Sequence, residues 1–207
     1  MLTKRESAWI IITIILFAFI LIFPLGQYNV LLWFIPVLII LINVMTKKIA
    51  ADFFNIKIEH TIWEIQQYWW YKSSKFKKPV PIGLLFPFVI TFLSLGLIKP
   101  LTFLQFKYKN LPHKRILKKR GAVKAEEINE SDLAFTAAWG FFSLLSLVLL
   151  GILFRVPELA KYSVYYGLWN LLPIGNLDGS KLFFGSLITW TFILILFLIS
   201  LAFTILL

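Results

Sequence analysis

Apolar and polar positions fall in blocks along this chain. The first apolar block, residues 8–23, is followed by the uncharged turn Pro24-Leu25-Gly26-Gln27-Tyr28-Asn29. A second block, residues 30–44, leads to Lys47 and Lys48. A bilayer span takes about 20 apolar residues, with a range of about 17–25, so the two blocks predict an antiparallel helical hairpin. From Phe54 the period changes. Phe54, Ile56, Ile58, His60 and Ile62 alternate with Asn55, Lys57, Glu59 and Thr61. Period two with β-branched residues predicts a strand over 56–62, paired with part of residues 101–109. Asn55 suits a helix stop, because Asn tolerates the left-handed conformation past a last turn.

Residues 81–97 are of membrane length but are interrupted by Pro81, Gly83, Pro87 and Gly96. Lys72, Lys75, Lys77 and Lys78 precede them, and Lys99, Lys107 and Lys109 follow. Irregular backbone at membrane depth is tolerated where protein buries it. The pattern predicts a re-entrant or broken segment with both ends on one side. Residues 133–154 form a clear span, whose Ala137, Ala138 and Gly140 allow close helix packing. After a polar segment with Arg155, Glu158 and Lys161, residues 162–172 are helical up to Pro173. Residues 182–207 form the last span. The expected fold is an all-α polytopic membrane protein of about 4–6 membrane segments, one re-entrant or broken, with a small membrane-side β element. Residues 1–29 are an N-terminal signal-anchor span and turn, and residues 30–207 are the membrane core.

Composition agrees. Of 207 residues, 59% are hydrophobic and 15% charged, against about 45–50% and about 25% in soluble domains. The absence of cysteine excludes disulfides, thiol nucleophiles and thiolate metal sites. The net charge of +11 is concentrated, since sixteen of the 21 Lys and Arg lie between Lys47 and Lys124. Basic loops between lipid-length segments point to the cytoplasmic side rather than to nucleic acid. The loop at about 107–132 is a solvated face near headgroups, with anionic lipids as candidate partners. Trp63, Trp69, Trp70 and Tyr71 fit an aromatic belt at the boundary, and His113 falls in the basic loop.

One stretch carries chemistry: Trp169-Asn170-Leu171-Leu172-Pro173-Ile174-Gly175-Asn176-Leu177-Asp178-Gly179. Pro173 and Gly175 break a helix in apolar surroundings, with a carboxylate at the unwound end. An ionisable residue in lipid is a functional-site hypothesis by default, and it needs a cation, a metal or donors. The stretch resembles the late motif of the site-2 protease family of intramembrane zinc metalloproteases, Asn-x-x-Pro-x-x-x-Leu-Asp-Gly. This chain supplies Asn170, Pro173, Leu177, Asp178 and Gly179. The resemblance implies that Asp178 stands where that family has its third zinc ligand and that Asn170 faces a substrate backbone. It also extends to the layout of the chain from residue 30 onward.

The resemblance further implies a His-Glu-x-x-His helix, two imidazoles at i and i+4 holding the zinc and a Glu activating its water. The two histidines, His60 and His113, stand 53 positions apart, so no such motif exists. In one placement His60 is the first ligand, Thr61 replaces the base and Glu64 the second histidine, giving His60, Glu64 and Asp178 as an alternative zinc set. In the preferred placement Asn43-Val44-Met45-Thr46-Lys47 occupies the motif. Asn43 and Lys47 then replace the ligands and Val44 the base, and His60 is a polar residue on a strand face. No catalytic residue and no cofactor remain in that reading, zinc being the alternative. The expected function is a non-catalytic binding or scaffold protein for membrane clients, with Asn170, Pro173 and Asp178 at a client cleft. The alternative is an active intramembrane metallopeptidase. A transporter would need two pseudo-symmetric halves, and no internal repeat is evident. Asp178 is expected to face Asn43 and Lys47, with the ammonium taking the lost dication's place.

Overall fold

The computed structural model describes residues 3–23, 31–54, 56–67, 75–109 and 129–206. The turn at 24–29, Asn55, Trp69, Trp70, Tyr71, His113 and most of the basic loop lie outside the described residues.

Helix α1 (Lys4–Ile22) starts at a capping box. Thr3 accepts from the Glu6 backbone N–H while the Glu6 side chain accepts from the Thr3 N–H, satisfying two otherwise orphaned donors. Helix α2 (Leu31–Phe53) runs past Val44 and carries Asn43 and Lys47 on one face, one turn apart. It closes where the Ile56 N–H reaches back to the Ala51 carbonyl at 2.8 Å, the six-to-one bond of a helix C-terminus. The chain then becomes extended, as the period-two alternation predicts. Strand β1 (Lys57–Ile62) pairs antiparallel with β4 (Leu104–Lys109), Lys57 opposite Lys109 and Ile62 opposite Leu104. A second pair joins β2 (Ile65–Gln67) to β3 (Lys75–Val80).

Helix α3 (Ile82–Leu93) has 12 residues, about 18 Å at 1.5 Å per residue. That is well short of a bilayer's hydrocarbon core of about 30 Å. It begins halfway along α1, where Gly83 packs on Trp63 and Phe103 and the Phe103 ring meets Phe17. From there α3 ascends parallel to the far half of α1, Phe88 against Phe19 and Phe92 against Phe23. The chain turns at Leu95 and Gly96, and β4 brings it back beside the start of β1. Strands β1 and β4 therefore share one end of the molecule, but residues 82–97 run from mid-height to the far end, so the two ends of that segment do not lie on one side as expected. Lys99 departs from the expectation that grouped it with the lysines of the near end. Its ammonium donates 2.9 Å to the Leu21 carbonyl at the far end of α1, one of the terminal carbonyls the helix leaves without a partner.

Helix α4 (Glu130–Leu153) is the central post, packed by α2, α5, α6 and α7. Helix α5 (Pro157–Leu171) begins five residues earlier than the apolar pattern suggests and so takes in Glu158 and Lys161. Pro157 presets the first-turn φ, and Glu158 there complements the helix dipole. The last block divides into α6 (Asp178–Gly185) and α7 (Leu187–Leu206), instead of forming one span over 182–207. Ser186 is extended between them, and its backbone and hydroxyl oxygens accept from Trp190 and Thr189 of the new helix. Among the described residues four helices, α1, α2, α4 and α7, are long and apolar enough to cross a membrane. Large apolar side chains such as Ile15, Trp33, Ile49, Leu149, Ile188 and Leu198 lie exposed on their outer faces.

Candidate functional site

Four elements meet around Asp178. Asn43 and Lys47 project from α2 towards α4, where Gly140 leaves room for both; a Cβ at Gly140 would run into the Lys47 stem and the Asn43 amide. The Asn43 Nδ2 donates to the Gly140 carbonyl at 2.9 Å, and its Oδ1 accepts from the Lys47 ammonium. The same ammonium forms an ion pair with Asp178 Oδ2 at the first turn of α6. Both charged side chains are about 4% exposed or less. Burying either alone would cost several kcal/mol, so Lys47 and Asp178 each explain the presence of the other. Lys181, one turn on, lies 3.7 Å from Asp178 Oδ1. It donates to the Phe106 carbonyl at 2.7 Å and sits 3.5 Å from the Phe106 ring centre, an attractive arrangement for a cation.

The loop joining α5 to α6 positions Asp178. The α5 helix stops at Leu171, and Gly175 has φ of +57°, a left-handed conformation that glycine adopts without strain. A Cβ there would meet the side chains of Trp63 and Ile65. Asn170 is buried, its Nδ2 donating to the Leu101 carbonyl at 2.9 Å and the Tyr166 carbonyl at 2.8 Å. Its Oδ1 is buried without a partner among the described residues. Pro173 is exposed with Ile174, Gly175 and Asn176. Asn170 and Asp178 thus tie the broken helix to neighbouring elements, while Pro173 lies on the exposed loop between them.

A second buried cluster lies at the near end. Glu6 Oε1 accepts from the His60 backbone N–H and faces His60 Nδ1, both at 3.0 Å. Glu6 Oε2 accepts from Lys48 at 2.7 Å. Burial pushes the His60 imidazole below its ordinary value of 6.5, against the raising effect of its hydrogen bond to Glu6. The His60 Nε2 is buried without a partner among the described residues.

The residues of the alternative zinc set do not converge on a common point. His60 lies on a strand and is held by Glu6, and Glu64 follows that strand and pairs with Lys107 at 2.7 Å. Among the described residues no three His, Asp or Glu side chains are grouped to hold a metal. Val44 is buried in the core beside the trio, where an apolar side chain supplies no base.

Sequence reasoning missed Glu6, Lys48 and Lys181. The Thr3-x-x-Glu6 spacing signals a helix cap, which accounts for Glu6 without its bonds to His60 and Lys48. Lys181 follows Asp178 by three, a spacing that places two residues on one helix face and was available as a signal. No protein-family model, curated protein or solved structure matches the chain.

Proposed function

We propose that this chain is a multi-pass integral membrane protein with a site-2-protease-like core that has lost zinc chemistry, acting as a non-catalytic binding or scaffold protein for membrane clients. The observation that carries the reading is the buried Asn43–Lys47–Asp178 trio. In the preferred placement Asn43 and Lys47 occupy the two histidine positions, and both engage one another and the motif carboxylate. An ammonium supplies the positive charge that Asp178 requires, but it offers neither a Lewis acid nor an activated water. Insertion in the bilayer is supported by four apolar helices of spanning length. The near end, with Lys4, Arg5, Lys48 and Lys57, is the cytoplasmic one in this reading, by the positive-inside rule. The exposed loop at Pro173 to Asn176 is the surface offered to clients.

The test is metal analysis of the protein purified without chelators, with Asp178→Asn as control. We expect zinc far below one equivalent in both proteins. One equivalent in the wild type that disappears in the variant would restore the metallopeptidase built on His60, Glu64 and Asp178.

A further inference from the structure

The re-entrant excursion leaves a cleft of about 450 Å³ at the far end of the molecule. One wall is the returning limb, with Leu97 and Lys99. The other is a face of α5 with Lys161, Tyr162, Tyr165 and Trp169. It is distinct from the Asp178 cluster.

The cleft is electropositive for a reason that can be read residue by residue. Burial pushes the Lys99 ammonium below the ordinary lysine value, and the charge of Lys161 across the cleft pushes the same way. The described segments that build this end, residues 17–23, 31–35, 82–101, 150–165 and 195–206, contain a single acidic residue, Glu158. Against it stand Lys99, Arg155 and Lys161, so the end carries excess positive charge. Two lysines line one cavity with no carboxylate among its described lining residues, an arrangement that favours an anion between them. The remaining lining sets the class of anion. Tyr162, Tyr165 and Trp169 are amphipathic rings of the kind that settle at headgroup level. On the returning limb Leu97 and Ile98 are exposed, Leu97 by 89%, and so face lipid tails once the chain is inserted.

We propose that this cleft binds the headgroup of an anionic membrane lipid, with Lys99 and Lys161 against its phosphate and the acyl chains running along Leu97 and Ile98. The proposal rests on bilayer insertion but not on the loss of zinc chemistry. Its location gives it a consequence: the bound lipid would brace the apex of the excursion against α5, the helix that leads to Asn170 and Asp178.

A photo-crosslinker introduced as Tyr165→benzoylphenylalanine, in vesicles of phosphatidylcholine doped with phosphatidylglycerol, tests it. The adduct should carry phosphatidylglycerol in excess of its share of the bilayer. Lys161→Gln should lower that enrichment about fivefold, the effect of one ammonium near an anionic surface, and Lys161→Arg should keep it. Lys161 is chosen because Lys99 also holds the end of α1. Adducts in proportion to bilayer composition, or enrichment unchanged by Lys161→Gln, would overturn the proposal. Displacement of the lipid by millimolar inorganic phosphate would also overturn it, identifying a free-anion site instead.

Discussion

Lys47 and Asp178 stand 131 positions apart in sequence and form one buried ion pair. Two considerations pointed to this pair: a carboxylate in an apolar cleft needs a cation, and the motif resemblance puts Lys47 at a ligand position opposite Asp178. Removing one partner of a buried pair costs about 3–5 kcal/mol, whereas replacing both by apolar groups of similar volume is often nearly neutral. Lys47→Met should therefore destabilise the protein by about 3–5 kcal/mol. Adding Asp178→Leu should recover about 2 kcal/mol or more of that loss, because the second change removes the stranded charge. Reversible unfolding in detergent, read for the four members of the cycle, measures the coupling. Additive losses would mean that the pair contributes contact without interaction.

At the scale of elements, legibility followed the strength of the local pattern. The strand at 57–62 and its partner were readable because Ile58, His60 and Ile62 alternate with polar neighbours, and those same three positions are the buried ones. The helix carrying Asn43 and Lys47 was readable because its apolar face persists to the end of α2. The division between α6 and α7 was not readable. Residues 182–198 are almost uniformly apolar, and a single Ser in such a run carries no strong stop signal. At the break Gly185 packs closely on Glu130 and Ala134, a contact between distant elements that no local pattern announces. The early start of α5 was hidden for a related reason, since Glu158 and Lys161 resemble a solvated loop until Pro157 is read as a first-turn residue. At the candidate site, Asn43, Lys47 and Asp178 were found through the motif. Glu6 and His60 could not be joined, because 54 positions and a change from helix to strand separate them.

At the scale of the whole molecule, the excursion from β1 to β4 sets the topology. If the chain is inserted as proposed, Lys57 and Lys107 lie at one end and Leu97 and Arg155 at the other, although Leu97 falls between the two lysines in sequence. The native chain lacks cysteine, so single-cysteine variants report cleanly. Lys57→Cys and Lys107→Cys should label from the cytoplasmic side, and Leu97→Cys and Arg155→Cys from the opposite side. Labelling of Lys57→Cys and Lys107→Cys from opposite sides would make residues 82–97 part of an ordinary crossing and undo the re-entrant topology.

The central claim is that the Lys47 ammonium stands where a zinc ion would stand in a site-2-protease-like core, and rebuilding the missing ligands tests it most directly. In the variant combining Asn43→His, Val44→Glu and Lys47→His, two imidazoles one helical turn apart would face Asp178, the donor set and spacing that zinc accepts. The account predicts about one zinc per chain in protein that elutes like the wild type, and loss of that zinc when Asp178→Asn is added. A folded triple variant without zinc, or one whose zinc is indifferent to Asp178, would contradict it.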